Sequence, residues 1–275
     1  RKNIFKNIKV LWTYHQALKK AKQIIKDFDP DVVIGVGGYI TAPVISVASK
    51  LGYKTLIHEQ NAVLGMTNKM LLKKVDKLCV SLKETLDYVE DSLKDKVVYT
   101  GNPRSEEIVK IKSISRSKYG FSKDKKLVVI VMGSLGSTTM TTKLKELIPE
   151  FNNQDYQVLL ITGNNYYDEY KNIKHGKNVL IIPYSDELIS IMKDTDLIIS
   201  RAGASTIAEI TSIGLPAILV PSPYVTNNHQ LKNAKELEKH NACRIIEEDD
   251  FNKDTVLETI FEILGDDKLY KDMKK

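Results

Sequence analysis

The chain is poor in cysteine, tryptophan and long apolar runs. Its 275 residues hold two Cys and one Trp, with aromatic residues at 7%. Cys79 and Cys243 are far apart and share no C-x-x-C spacing, which excludes a disulfide framework and a zinc ribbon and fits a reducing compartment. No apolar run reaches the roughly 20 residues that span a bilayer. No low-complexity tract and no repeat of 20–50 residues interrupts the sequence. Hydrophobic residues at 42% and charged residues at 28% describe a packed globular protein, and the length allows one large or two modest domains.

Charge is unevenly distributed within the net +6. Residues 1–100 carry 17 Lys/Arg against 10 Asp/Glu, and the remainder carries 24 against 25. A basic first part beside a neutral second part points to an anionic surface, either nucleic acid or acidic lipid. No aromatic platform or arginine-rich stripe accompanies the charge, so nucleic acid is not expected as a partner. Ile4, Phe5, Ile8, Leu11 and Trp12 form one helical stripe flanked by Arg1, Lys2, Lys6 and Lys9. Such a helix either lies on an anionic bilayer or packs on its own sheet.

Short β-rich runs alternate with segments of helical period. Strands are expected at 31–35, 54–58, 77–81, 97–100, 127–132, 158–162, 179–182, 197–200, 217–220 and 242–246. This rhythm predicts α/β architecture with parallel, doubly wound sheets. It weakens in the Lys/Ser-rich stretch 105–126, the expected linker between domains 1–108 and 109–275.

Ligands of such sheets bind at the carboxyl ends of strands, and four of these ends are distinctive. The first runs through Gly35, Gly37, Gly38 and Tyr39 to a helix starting near Thr41, which is placed to cap it; a phosphate cradle and a plain tight turn both fit. The second reads Met132, Gly133, Ser134, Leu135, Gly136. The third, Ser200 to Glu209, is a strand, a small-residue turn and a helix starting at Ala204, Ser205 and Thr206, whose amides and dipole suit a diphosphate. Glu209 lies one turn on, either accepting ribose hydroxyls or merely complementing the dipole. The fourth carries Asn228, His229 and Gln230 into another helix; they read sugar hydroxyls, or His229 is a surface or capping residue. Walker, dinucleotide-binding and G-x-S-x-G motifs are absent, as are metal-spaced His/Cys clusters. The sequence Asp194, Thr195, Asp196 reads as a helix–strand connection rather than a metal clamp.

These loops occur in one order with His58, Glu59, Gln60, Asn61, Gly65, Thr67, Asn68, Lys69 and with Thr100, Gly101, Asn102, Pro103, Arg104. The series resembles the MurG family of bacterial peptidoglycan glycosyltransferases over roughly residues 17–275. The resemblance implies a GT-B fold, two Rossmann-like domains facing across a cleft, and an inverting enzyme. The implied reaction moves N-acetylglucosamine from UDP-N-acetylglucosamine to undecaprenyl-diphosphate-linked N-acetylmuramyl-pentapeptide. It belongs to cell-wall synthesis, and through that to cell shape and division, at the cytoplasmic face of the membrane, with a peripherally bound enzyme and no cofactor or metal.

By the same resemblance Glu209 holds the ribose and the helix start at Ala204, Ser205 and Thr206 the diphosphate. Ser134 joins the phosphates, with Arg104 nearby as a possible leaving-group stabiliser. The segment Pro183, Tyr184, Ser185 presents backbone to the uracil, while His229 and Gln230 contact the hexosamine and Asn61 closes on it from the first domain. Gly35, Gly37, Gly38 and Tyr39 lie on the acceptor side. Two departures stand out. Met132 replaces the first of paired glycines, and the opening G-G-T-G-G-H-type loop, with the histidine usually placed at the reaction centre, is missing, so the chain reads as a fragment and its general base is unassigned. The alternatives are another GT-B transferase with a lipid acceptor, such as diacylglycerol, and a nucleotide-sugar-binding module without turnover.

Overall fold

The computed structural model describes residues 4–133 and 138–275, without the side chains of 4–8. The chain divides into two compact units, Arg1–Asn102 and Pro103–Lys275. The strands are β1 (Val32–Gly35), β2 (Lys54–Glu59), β3 (Lys77–Val80), β4 (Val97–Tyr99), β5 (Leu127–Val131), β6 (Gln157–Ile161), β7 (Val179–Ile182), β8 (Leu197–Ser200), β9 (Ala217–Leu219) and β10 (Cys243–Ile245). Each strand expected from the sequence is present, and no end differs by more than one residue. The helices are α1 (Ile4–Phe28), α2 (Thr41–Lys50), α3 (Met66–Leu71), α4 (Arg104–Lys110), α5 (Thr138–Leu147), α6 (Tyr167–Tyr170), α7 (Leu188–Met192), α8 (Ala204–Ile213), α9 (His229–Lys239), α10 (Lys253–Gly265) and α11 (Asp267–Met273).

In the first unit, β1, β2, β3 and β4 form a parallel sheet in chain order. Ile45, Ile57, Leu71, Leu78 and Val80 pack on one of its faces. Helix α1 is anchored by its C-terminal half, where Ala21 and Ile25 meet Val47 and Ala48 of α2. Toward its N-terminus Leu11 and Trp12 are exposed, at 69% and 63%. The reading in which this stripe packs on its own sheet therefore fails for those two residues: among the described side chains of α1, the buried contacts begin a turn or more later.

The second unit has the order β10-β9-β8-β5-β6-β7, all parallel. Every residue of Leu127–Val131 is buried, because β5 is central and covered on both faces. Val128 and Ile130 point into a core shared with α5 and α10, and Leu127, Val129 and Val131 into one shared with α8 and α9. Alternate residues of one strand thus fill two cores, each Val, Ile or Leu contributing roughly 1.5–3 kcal/mol on burial. Helix α8 runs between Gly203, extended at its N-cap, and Gly214, whose left-handed φ of 64° terminates it.

The expected linker 105–126 is instead an integral part of the second unit. Ile108 of α4 is fully buried and α4 packs on α8. Buried Arg116 donates from Nη1 to the Lys125 carbonyl and to Asp196 Oδ2, both at 2.8 Å. Its backbone amide donates to Asp194 Oδ2 at 2.6 Å. Polar composition resembled a tether here because the segment is held by ion pairs as much as by apolar packing.

Candidate functional site

The second sheet reverses its direction of winding between β5 and β8: β5 leads to β6 and β7 on one side, β8 to β9 and β10 on the other. Loops leaving the carboxyl ends on either side of that point diverge and open a crevice. A cavity of about 360 Å³ lies there, lined by Gly133 after β5, Gly163 after β6, Pro183, Tyr184 and Ser185 after β7, Ser205, Thr206 and Glu209 of α8, and Arg104 of α4. Val131, Ile161, Leu188, Ile189, Met192 and Ile198 supply its apolar wall. Gly133 turns with φ +95°, a conformation that a side chain would strain.

At the start of α8 the first intrahelical bond runs from the Ile207 amide to the Gly203 carbonyl. The amides of Ala204, Ser205 and Thr206 precede that ladder and form the positive end of the helix dipole. The turn in front of them is braced from behind. Asn233, fully buried, donates through Nδ2 to the Ala202 carbonyl at 3.2 Å. Arg201 pairs with Glu248 at 2.6 Å and donates to the Val220 carbonyl at 3.2 Å, tying β8 to β9 and to the segment after β10. Lys143 of α5 reaches the Glu248 carbonyl. Glu209, with a side chain 12% exposed, accepts the Arg104 Nε–H at 2.7 Å.

The structure thus brings Arg104, Ser185, Ser205, Thr206 and Glu209 together around one cavity. The Ser185 hydroxyl oxygen is engaged by the Glu187 amide at 3.1 Å, leaving its proton as a donor. Ala204 opens α8 but is not on the cavity wall, and Ser134 lies outside the described residues. His229 and Gln230 begin α9 after β9, away from that wall. The His229 ring is 2.9 Å from the Thr226 carbonyl, to which Nδ1–H donates, and Gln230 Oε1 accepts the Ser222 amide at 2.9 Å. Both side chains hold their own loop, whose Asn227 and Asn228 have φ of 57° and 50°.

In the first unit Gly37 and Gly38 turn with φ of 93° and 78°, leaving Tyr39 84% exposed. The expected cap is corrected: Thr41 is the first helical residue, behind Ile40 at the N-cap, and its hydroxyl donates back to the Gly37 carbonyl. A Cβ on Gly35 would press on the Ile45 and Thr41 side chains, so that glycine serves close strand–helix packing.

Asn61 stands in a web built on buried Glu59. Glu59 Oε1 accepts both the backbone and the side-chain N–H of Asn61 at 3.1 Å, while Oε2 accepts the Gly65 amide at 2.8 Å and Asn68 Nδ2 at 2.9 Å. His58 Nε2 donates to the Gly101 carbonyl at 3.1 Å, and Nδ1 accepts from Gln60 Nε2 at 2.9 Å; this amide also donates to the Val36 carbonyl at 3.3 Å. The partners place the ring proton on Nε2. Glu59, His58, Asn68, Arg201 and Asn233 are the organising residues that motif reading did not put in the site. The available signal was a charged or polar residue ending an otherwise apolar strand, as in Leu56 to Glu59 and Leu197 to Arg201.

Cys243 is buried, and that burial pushes its thiol up to about 12, which leaves it no role as a nucleophile at neutral pH. Among the described residues no three or more His, Cys, Asp or Glu cluster to hold a metal ion, and no helix is long and apolar enough to cross a membrane.

With this geometry in hand, known proteins offer a comparison. Residues 1–80 match the glycosyltransferase family 28 N-terminal domain and residues 127–275 its C-terminal domain. A Listeria monocytogenes protein called UDP-N-acetylglucosamine--N-acetylmuramyl-(pentapeptide) pyrophosphoryl-undecaprenol N-acetylglucosamine transferase is 41% identical over 273 residues, covering 98% of this chain and 74% of its own length. The Bacillus subtilis protein of that name is 38% identical over 280 residues, covering 100% and 76%. Among solved structures, Acinetobacter baumannii MurG superposes with a TM-score of 0.77 at 27% identity, over 96% of this chain and 73% of its own. The S. aureus MnaA-UDP co-structure, at 17% identity and a TM-score of 0.73 over 95% and 74%, shares the fold.

Proposed function

The chain belongs to the MurG family within glycosyltransferase family 28, and from that premise we propose that it moves N-acetylglucosamine from UDP-N-acetylglucosamine to undecaprenyl-diphosphate-linked N-acetylmuramyl-pentapeptide in peptidoglycan synthesis. The observation that carries this reading is the crevice at the β5/β8 reversal, where a helix start and a largely buried carboxylate, Glu209, face one cavity of about 360 Å³. The amides of Ala204 to Thr206 suit the diphosphate, Glu209 the ribose diol, and the Pro183 to Ser185 segment the flat base against the apolar wall. Ser134 joins the diphosphate, and His229 and Gln230 turn to the hexosamine when it is bound.

The transfer is a direct displacement. An acceptor hydroxyl oxygen bonds to the anomeric carbon as the bond from that carbon to the β-phosphate oxygen breaks. The hydroxyl proton is released, and UDP leaves with the developed negative charge. The second unit therefore contributes most by holding that charge: helix-start amides fixed by the Arg201–Glu248 and Asn233 braces need no reorganisation as it grows. Positioning supplies the remainder. In the first unit the Gly35 to Tyr39 turn and Asn61 are the groups we assign to the acceptor and the sugar.

The same premise extends to location. The basic first part, with Leu11 and Trp12 exposed on α1, fits peripheral attachment to the anionic cytoplasmic face of the cell membrane.

Calorimetry with UDP-N-acetylglucosamine, UDP-glucose and UDP-galactose tests the donor reading. The acetamido sugar is expected to bind best, and Glu209→Ala is expected to weaken all three by about tenfold or more. Equal binding of the three donors would reduce the assignment to a generic UDP-sugar transferase.

A further inference from the structure

We infer that Arg104 is the positioning residue that holds the Glu209 carboxylate ready for the ribose, and is not a hook for the diphosphate. The inference rests on the nucleotide reading of the cavity and gives Arg104 a different task from its proximity to the phosphates alone.

The guanidinium is placed between two carboxylates. Its Nε–H donates to Glu209 Oε1 at 2.7 Å, and Nη1 lies 3.8 Å from Glu107 Oε2 on the same helix. Two carboxylates within 4 Å of the guanidinium offset the positive charge it could offer a diphosphate, whereas the α8 helix start, a few residues away, presents its positive dipole end unopposed by them.

The same pairing leaves room for a sugar. A carboxylate has about four lone-pair directions, of which Arg104 Nε–H takes one and a vicinal diol two. The ion pair and the ribose contact are therefore compatible, and the first prepares the second. A long side chain would otherwise lose rotamer freedom when the nucleotide arrives; here the loss is already met in the free protein. The support is rigid, since α4 packs on α8 with Ile108 fully buried, so two helices fix the two ends of the pair. Arg104 itself is 44% exposed at the first position of its helix.

Calorimetry on the full chain with UDP, 2′-deoxy-UDP and UMP separates the two tasks. The wild type is expected to prefer UDP over 2′-deoxy-UDP by about tenfold, the scale of one charge-assisted hydrogen bond. In Arg104→Ala and Arg104→Lys that preference falls to about threefold or less, while the ratio of UDP to UMP affinity stays within about twofold of wild type. Lysine keeps a positive charge near the phosphates but lacks the Nε–H fork, so its agreement with alanine supports positioning. Retained ribose preference with a collapsed UDP to UMP ratio would overturn the inference in favour of a phosphate contact. Loss of both ratios, or of neither, would overturn it as well. A wild type indifferent to the 2′-hydroxyl would instead sink the reading of Glu209 on which it stands.

Discussion

Replacing Glu59 by Gln tests whether the loop carrying Asn61 is organised by one buried charge. The carboxylate is 3% exposed and accepts four N–H groups, two on each oxygen. Glutamine turns one of those oxygens into a donor. If it faces Asn61, two donors at 3.1 Å lose their acceptor; if it faces Gly65 and Asn68, the donors at 2.8 and 2.9 Å do. Asn68 can turn its amide over to accept from the new NH2, but its Nδ2 then leaves the His58 carbonyl, which it meets at 3.1 Å. If the Asn61 amide also turns over it recovers one bond, so at least one is lost in every arrangement, at roughly 1.5–3 kcal/mol for a bond to a charged group. Amide exchange across residues 59–68 should therefore accelerate by about tenfold or more. Transfer activity falls, yet UDP affinity, which resides in the second unit, stays within about twofold. Unchanged exchange, or a local cost below about 1 kcal/mol, would refute the claim that Glu59 organises this loop.

Two further outcomes concern the base of the second unit and the membrane. Burial alone would raise the Asp196 carboxyl, but the Leu127 amide and the Arg116 guanidinium outweigh it and hold the group below the usual carboxylate range. A carboxyl depressed in the folded state stabilises above its unfolded value, near 3.8, and that contribution is lost as pH falls through the folded value. Urea unfolding of the wild type should thus weaken from roughly pH 4 downward; Arg116→Met should be less stable by about 3–5 kcal/mol at neutral pH and show a shallower acid loss, and equal acid slopes would remove Arg116 as the cause. Leu11→Ser with Trp12→Ser should weaken binding to vesicles rich in anionic lipid about tenfold or more, whereas binding that ignores both lipid charge and these substitutions would remove the membrane contact.

The strands were legible because their signal is local. Runs such as Leu127–Val131 are apolar throughout, and only a strand covered on both faces buries every residue of such a run. The Lys/Ser-rich stretch around Arg116 misled for the converse reason. Its anchors are Asp194 and Asp196, almost 80 positions away, and an arginine destined for burial has the same letter as one destined for solvent. Thr41 shows the limit at helix ends. A threonine before a helical run can cap it or begin it, and the choice depends on whether the preceding glycines bring a carbonyl within reach of its hydroxyl, as Gly37 does.

At the site the same division has a sharper consequence. Sheet topology gathers strand ends automatically: once β5 and β8 are neighbours and their connections leave in opposite directions, Gly133, Thr206 and Glu209 must border one crevice. Those residues could be read from strand-turn-helix patterns without any coordinates. Pairings made after assembly could not. Arg104 and Glu209 are separated by 105 positions, and both belong to loop-and-helix motifs that suggest contact with a ligand rather than with each other. Gln230 is similar: its amide oxygen holds the Ser222 amide, a contact eight residues back that depends on the path of a loop through two left-handed asparagines. A side chain engaged in this way can serve a sugar only by giving up or sharing its present partner. Motif reading therefore identifies the groups available for binding, whereas their existing partners determine how much of that capacity is free, and for Glu209 the free part is what a ribose diol requires.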